Sequence, residues 1–156
     1  MNALAIQNWL GGAGLLMGIT IGVAAGVSLF TFHYAKGTSY LGDDPATCAN
    51  CHIMEDHYDA WLKSSHRHVA SCNDCHSPDG FFSKNFVKAV NGWNHSVAFT
   101  TGDFHEPIQI KAWNRAITEE TCRSCHADIV HAIDIPRPGE EPMSCIRCHD
   151  SVGHMR

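Results

Sequence analysis

The sequence predicts a mostly α-helical protein with much irregular loop: one N-terminal transmembrane helix, then a domain that lacks an ordinary side-chain core. Three observations predict it. Residues 1–35 contain no Asp, Glu, Lys or Arg. Eight cysteines fall in four C-x-x-C pairs, all beyond residue 47. Strand signals are few, whereas apolar residues at helical spacing mark helices at 54–66, 81–99, 107–117 and 123–133.

The first element is the charge-free stretch. Trp9 to Tyr34 is 26 residues, about 39 Å of helix at roughly 1.5 Å per residue, enough to cross the ~30 Å hydrocarbon core with tilt. A cleaved signal peptide is the alternative. The stretch is long for one, has no basic n-region, and ends Thr31-Phe32-His33-Tyr34-Ala35, a poor small-x-small site. A retained anchor over residues 1–36 is therefore expected, with His33 as an interfacial residue. Gly14, Gly18, Gly22 and Gly26 recur every four residues. They form a smooth strip that permits close approach of another helix, so self-association through the anchor is expected. The linker from Lys36 to Pro45 carries Gly37, Gly42 and Pro45 and reads as a turn-rich exit.

The cysteine pairs come next. They are Cys48/Cys51, Cys72/Cys75, Cys122/Cys125 and Cys145/Cys148, and His52, His76, His126 or His149 follows each second cysteine. A disulfide framework does not need a histidine there four times. A zinc ribbon is complete with four cysteines. C-x-x-C-H has another logic: two thiols form thioethers to haem vinyl groups and the adjacent imidazole binds iron. Four covalently bound haems c follow, and residues 37–156 become a multihaem cytochrome c domain wrapped around them. Some 107 residues from Cys48 to His154 cannot otherwise build a sufficient core; the porphyrins supply the apolar mass. Motifs one and two are 24 residues apart and motifs three and four 23, with a step of 50 between the middle two. That spacing reads as two dihaem units, about 46–80 and 118–156.

Such haems are attached outside the cytoplasmic membrane. The domain is therefore expected on the periplasmic side of a bacterial inner membrane, on a single-pass anchor. The positive-inside rule disagrees weakly, since the only nearby lysine, Lys36, follows the helix. Net charge is −5, before haem propionates, and the basic residues form no block, so no nucleic-acid partner is expected.

Four irons take up to eight axial ligands. The motif histidines nominate four. Among the rest, His66 lies six residues before motif two and His154 five after His149, and these are the expected distal ligands. His57 and His131, five beyond their own motif histidines, are the alternates. Motif one continues His52-Ile53-Met54, so Met54 is a rival to His52 for the first iron, or else a packing methionine. From Phe81 to Phe99, Phe82, Phe86, Ala89, Val90, Trp93 and Val97 share one helix face and Lys84, Lys88, Asn91 and His95 the other. The polar stripe is either a solvated face or one that meets a haem edge or a membrane-borne substrate.

One apolar N-terminal helix, four C-x-x-C-H motifs in two pairs, C-H-x-M at the first and Ser71-Cys72-Asn73-Asp74-Cys75-His76 at the second resemble the NapC/NirT family of membrane tetrahaem quinol dehydrogenases. Within it, Gly92-Trp93-Asn94-His95-Ser96-Val97-Ala98-Phe99-Thr100 and Val152-Gly153-His154-Met155 are most similar to the small subunits of cytochrome c nitrite reductase. The resemblance covers nearly the whole chain. It implies menaquinol oxidation at the first haem and electron transfer to a periplasmic pentahaem catalytic subunit. It implies that Met54 binds the first iron, that Lys84 lies near the quinol pocket, and that one iron takes its sixth ligand from the partner subunit. The family commonly carries an aspartate beside the first haem. This chain has Asn91 there, which cannot take a quinol proton at neutral pH, so His95 or Asp103 is the expected acceptor.

Three other functions compete: the same dehydrogenase feeding a nitrate reductase or several acceptors, a passive anchored carrier without a quinol site, and direct nitrite reduction. The last needs an open, proton-supplied haem pocket, for which the sequence shows no distinctive motif.

The glycine strip can be tested directly. Gly18→Leu and Gly22→Leu add bulk where backbones approach and should weaken subunit pairing in crosslinking of membranes. Normal assembly of both variants would reduce the strip to compositional bias.

Overall fold

A computed structural model describes residues 3–134, 139 and 142–154; Met155 of the terminal motif lies outside them. The described residues are helical, with turns and loops and no strand. The chain separates into two units, Met1–Ser39 and Tyr40–Arg156.

The first unit is dominated by α1, Ala3–Tyr34, of which Gly11–Tyr34 is long and apolar enough to cross a membrane. The absence of charge and the supply of Leu, Ile and Val leave helix as the way to satisfy every backbone group without water. The helix ends where Lys36 adopts φ 52°. Gly37 follows, and the Phe32 ring fills the space that any Cβ at that position would occupy. A larger residue there would have to displace the Phe32 ring.

The second unit begins with short turns. Asp44 caps a 3₁₀ turn, Pro45–Asn50, by accepting from the Ala46 N–H at 2.9 Å. A further 3₁₀ turn, His52–Met54, leads into α2, Glu55–Leu62. α3 is one turn, Cys72–His76. The Asp74 carboxylate accepts from both the N–H and the hydroxyl of Ser71, each at 2.7 Å. The Ser-x-x-Asp within this motif is thus its helix start. α4, Phe81–Thr101, runs between Gly80 (φ 96°) and the left-handed Gly102 (φ 73°). α5 is Ala112–Cys125, α6 Ala127–Ile133 and α7 Cys145–Cys148.

Three helices differ from the sequence reading, and the one expected over 123–133 is divided at His126 between α5 and α6. The helix expected over 107–117 starts only at Ala112 and continues through motif three. The C-x-x-C spacing favours helix because both cysteines must share one face. The helix expected over 54–66 stops at Leu62, where the chain folds back and Trp61 Nε1 donates to the Ala70 carbonyl at 3.0 Å.

Among the described residues Val87 is the one buried apolar side chain. Polar contacts tie the elements together instead. Thr121 Oγ1 of α5 donates to the Cys75 carbonyl of α3 at 3.0 Å. Glu119 of α5 receives the Ser144 hydroxyl and the Cys145 N–H (2.8 Å) at the start of α7. Arg123 pairs with Asp134 at 2.5 Å and donates to the Met143 carbonyl. Asp43 accepts from Lys84 at 2.9 Å, Lys88 at 3.0 Å and Asn73 at 2.9 Å, which joins the linker to α4 and α3.

α4 lies the other way round from a simple amphipathic helix. Its inward face carries Lys84, Val87, Lys88 and Asn91, while Phe82, Phe86 and Trp93 are exposed. The polar stripe is therefore not a solvated face. Its lysines satisfy Asp43, and Asn91 accepts from Asn114 of α5 at 3.1 Å.

The Asp43 tie has a pH signature. Lys84 above all, then Lys88, holds its carboxyl at about 2, below the ordinary 3.8. A depressed carboxylate stabilises the fold above its ordinary range, and that contribution is lost as pH falls toward the folded value. Asp43→Asn should lower the thermal midpoint of the holoprotein at pH 7, with the gap to wild type closing between about pH 4 and about pH 2. Equal midpoints at pH 7 would show that the carboxylate ties nothing.

Candidate functional site: the cysteine–histidine motifs

In three of the four motifs a single helical turn presents the ligands. Cys72/Cys75, Cys122/Cys125 and Cys145/Cys148 are i,i+3 pairs in α3, α5 and α7. Residues three and four apart share a helix face, so each following histidine falls beside its cysteines. His126 and His149 cap their helices, donating backbone N–H to the carbonyls of Cys122 and Cys145 at 3.0 and 2.9 Å. Motif one departs from this. Cys51 is extended (φ −94°, ψ 114°), which breaks the turn before His52. His52 is exposed and Met54, one turn on, is partly buried.

All eight cysteines are free thiols, as thioether formation requires. They adjoin in chain order. Cys48 and Cys72 are within hydrogen-bonding reach; that bond pulls the Cys48 thiol down to about 7 and pushes the Cys72 thiol up. Burial raises Cys75, with Asp74 and then Cys125 adding to it. Burial also lifts Cys122 to about 11, with Cys145 and Cys75 as its nearest like-charge neighbours. Motif one thus meets motif two, two meets three, and three meets four.

The histidines pair between motifs. The His76 and His154 rings are 5.9 Å apart at 30°, and the His66 and His126 rings 6.1 Å apart at 75°. Two imidazoles on opposite sides of one iron, with nitrogens roughly 2 Å from the metal, put ring centres about 6 Å apart. Burial holds His76 at about 4, with His154 and His57 adding to it, so its imidazole is in the neutral, ligating form. His154 Nδ1 lies 3.1 Å from the His57 carbonyl. Donation there leaves Nε2 free, the usual way a protein fixes a ligating tautomer. His57, whose ring is 5.2 Å from that of His154, is lowered by burial and by His154. The donor set fits a covalently held haem at each motif. Histidine ring pairs at this spacing occur at motifs two and three; among the described residues His52 and His149 form none.

The remaining predicted residues lie on α4. Lys84 is held by Asp43 and Asn91 by Asn114. His95 is lowered by burial and by Lys111. They share a face of the helix but have different partners. Sequence reasoning missed Asp43, Asn114 and Glu119, and no motif marks them. It also placed His66 by its closeness to motif two, whereas its ring meets that of motif three. His131 makes no ring pair among the described residues.

Four cysteine pairs in a continuous run, each with an imidazole or thioether to hand, define a c-type cytochrome with covalently bound haem. Residues 9–156 match the NapC/NirT cytochrome c family, N-terminal region, and the chain belongs to that family. It is 36% identical over 147 residues to the cytochrome c-type protein NrfH of Wolinella succinogenes, which covers 87% of this chain and 82% of that protein. It is 27% identical to the cytochrome c-type protein TorC of Escherichia coli K12, spanning 87% of this chain but 41% of TorC. The fold matches a chain in the crystal structure of the cytochrome c nitrite reductase NrfHA complex bound to the HQNO inhibitor, with TM-score 0.61, 28% identity and 90% coverage of both chains.

The histidine pairs give a test. His66→Ala and His154→Ala should each convert one low-spin haem to high-spin while all thioethers remain, read by electron paramagnetic resonance and haem content. An unchanged low-spin spectrum in either variant would remove that residue from the ligand set and promote His57 or His131.

Proposed function

We propose that this protein is a membrane-anchored tetrahaem cytochrome that oxidises menaquinol and passes the electrons to a periplasmic cytochrome c nitrite reductase catalytic subunit. The observation that carries the proposal is the unbroken run of motifs one to four, in a chain whose first motif begins twelve residues after Lys36. A path from a lipid-soluble donor to a soluble acceptor needs such a run. The similarity to NrfH and to a chain of the NrfHA complex supports the choice of partner.

When bound, the haems supply four one-electron centres. The chain supplies the rest. Cys48, Cys51, Cys72, Cys75, Cys122, Cys125, Cys145 and Cys148 hold them through thioethers. His76 with His154 and His126 with His66 would hold the irons of motifs two and three. His149 would hold that of motif four, together with a residue of the partner subunit. Met54 is the ligand at motif one, because the extended Cys51 carries His52 away from the position that the other motif histidines hold. Methionine in place of histidine raises a haem potential, which favours taking an electron from quinol.

Menaquinol gives up two electrons and two protons, and the protons leave on the periplasmic side. Lys84, fixed by Asp43, is placed to hydrogen-bond a quinol oxygen as negative charge develops on it. Asn91 orients without accepting a proton. His95, lowered from its ordinary value by burial and by Lys111, is the acceptor. Copurification of a pentahaem subunit is the observation that separates a nitrite reductase partner from other acceptors.

Lys84→Ala should slow haem reduction by a menaquinol analogue by at least tenfold, as loss of a charge-stabilising donor does, while dithionite still reduces all four haems. Lys88 keeps Asp43 paired, so the fold should survive. Met54→Ala should change the spin state or potential of one haem only. Normal quinol turnover in both variants would leave a passive carrier as the better reading.

A further inference from the structure

α4 has a face that its own domain does not use. Phe82, Phe86, Ala89, Trp93 and Val97 recur at i, i+4, i+7, i+11 and i+15, one stripe about 22 Å long at roughly 1.5 Å per residue. Phe82 is 86% exposed, Phe86 65% and Trp93 72%. The stripe is opposite Lys84, Val87, Lys88 and Asn91, the side that meets Asp43 and α5. It therefore points away from Asp43 and from α5, which carries motif three.

Three observations name its occupant. First, α4 is tied to the linker that follows α1 in the chain. Lys84 and Lys88 grip Asp43, and Lys88 also donates to the Gly42 carbonyl at 2.7 Å. Asp43 is nine residues beyond Tyr34, the end of α1, so those residues span at most about 30 Å even when fully extended. Second, residues 81–101 contain no Asp or Glu, so the helix itself offers nothing for anionic headgroups to repel. Third, the hydroxyls of α4 donate back into the helix. Ser96 Oγ bonds the Gly92 carbonyl at 2.8 Å, Thr100 the Ser96 carbonyl at 2.7 Å and Thr101 the Val97 carbonyl at 2.9 Å; the Asn85 amide bonds the Phe81 carbonyl at 2.7 Å. These side chains need no water, as is usual for hydroxyls that face lipid.

We infer that α4 is an interfacial helix that lies on the bilayer with Phe82, Phe86, Trp93 and Val97 sunk into the headgroup–acyl boundary. Aromatic residues on one face and lysines on the other are the pattern of such helices. Seated this way, α4 brings the edge that carries Lys84 to the level at which a lipid-soluble quinol leaves the membrane. The inference rests on anchoring by α1, and α1 is its internal control.

The test uses full-length holoprotein in nanodiscs of phosphatidylethanolamine and phosphatidylglycerol, with a carbene photolabel dissolved in the lipid. Label should appear on α1 and on peptides spanning residues 81–97, at about tenfold above residues 63–68, in keeping with burial at the interface. A Phe82→Ser/Trp93→Ser double variant with full haem content should lose that second label and keep the first. Its KM for long-chain menaquinol should rise, while that for a water-soluble quinol stays the same. Label confined to α1 would overturn the inference and leave the anchor intact; absence of label from α1 as well would overturn the anchor reading itself. Protection of 81–97 only when a nitrite reductase catalytic subunit is added would assign the face to protein and equally overturn it. If the double variant loses haem, the wild-type labelling alone decides.

Discussion

The fold depends on the single helical turn that sets two cysteines and a histidine on one face. A thioether pair leaves little freedom in where its haem plane lies, so the backbone of each motif fixes a large rigid body. The elements between motifs then have to bring those bodies together, and their lengths and contacts follow from that task. α3 and α7 are five and four residues long, too short to persist without covalent or tertiary support. Their starts are secured by Asp74 and Glu119 instead. Motif one, where the turn is broken at Cys51, is the exception. It is also the motif followed by a methionine.

A second consequence is the nature of the contacts. With Val87 as the single buried apolar side chain among the described residues, polypeptide packing contributes little. Asp43 joins the linker to α3 and α4, Glu119 joins α5 to the start of α7, and Arg123 joins α5 to Asp134 and Met143. Exposed ion pairs are individually weak, so these ties set positions more than they add stability. Asp43 does so for Lys84, whose amine it holds in one position, and a second lysine on the same carboxylate keeps that carboxylate ionised.

α4 shows how membrane proximity changes the reading of an amphipathic helix. In a soluble domain the Phe and Trp face would turn inward. Here the interior has polar partners to offer, and the aromatic face is left for a different solvent. The helix-bonded hydroxyls of Ser96, Thr100 and Thr101 agree with that solvent being lipid. One helix thus carries a polar face tied to Asp43 and Asn114 and an exposed aromatic face opposite it.

The sequence by itself determined the chemistry. Cysteines three apart with a histidine next to them are a local pattern, and local patterns survive without knowledge of the fold; the charge-free α1 is legible for the same reason, since length and composition decide whether a helix can cross a bilayer. Helix existence was legible too, though the starts of α5 and the end of α2 were not, because they are set by contacts such as that of Trp61 with Ala70. What only the tertiary structure decided is which distant groups meet. His66 stands six residues before motif two yet its ring lies beside that of motif three, and His154 reaches back to His76 and to the His57 carbonyl across 97 residues of chain. Asp43 carries no motif, and its role exists only because two lysines of α4 arrive beside it. Proximity in sequence constrains a residue to within a loop's reach, but which imidazole rings lie side by side is decided by how the chain packs, not by spacing.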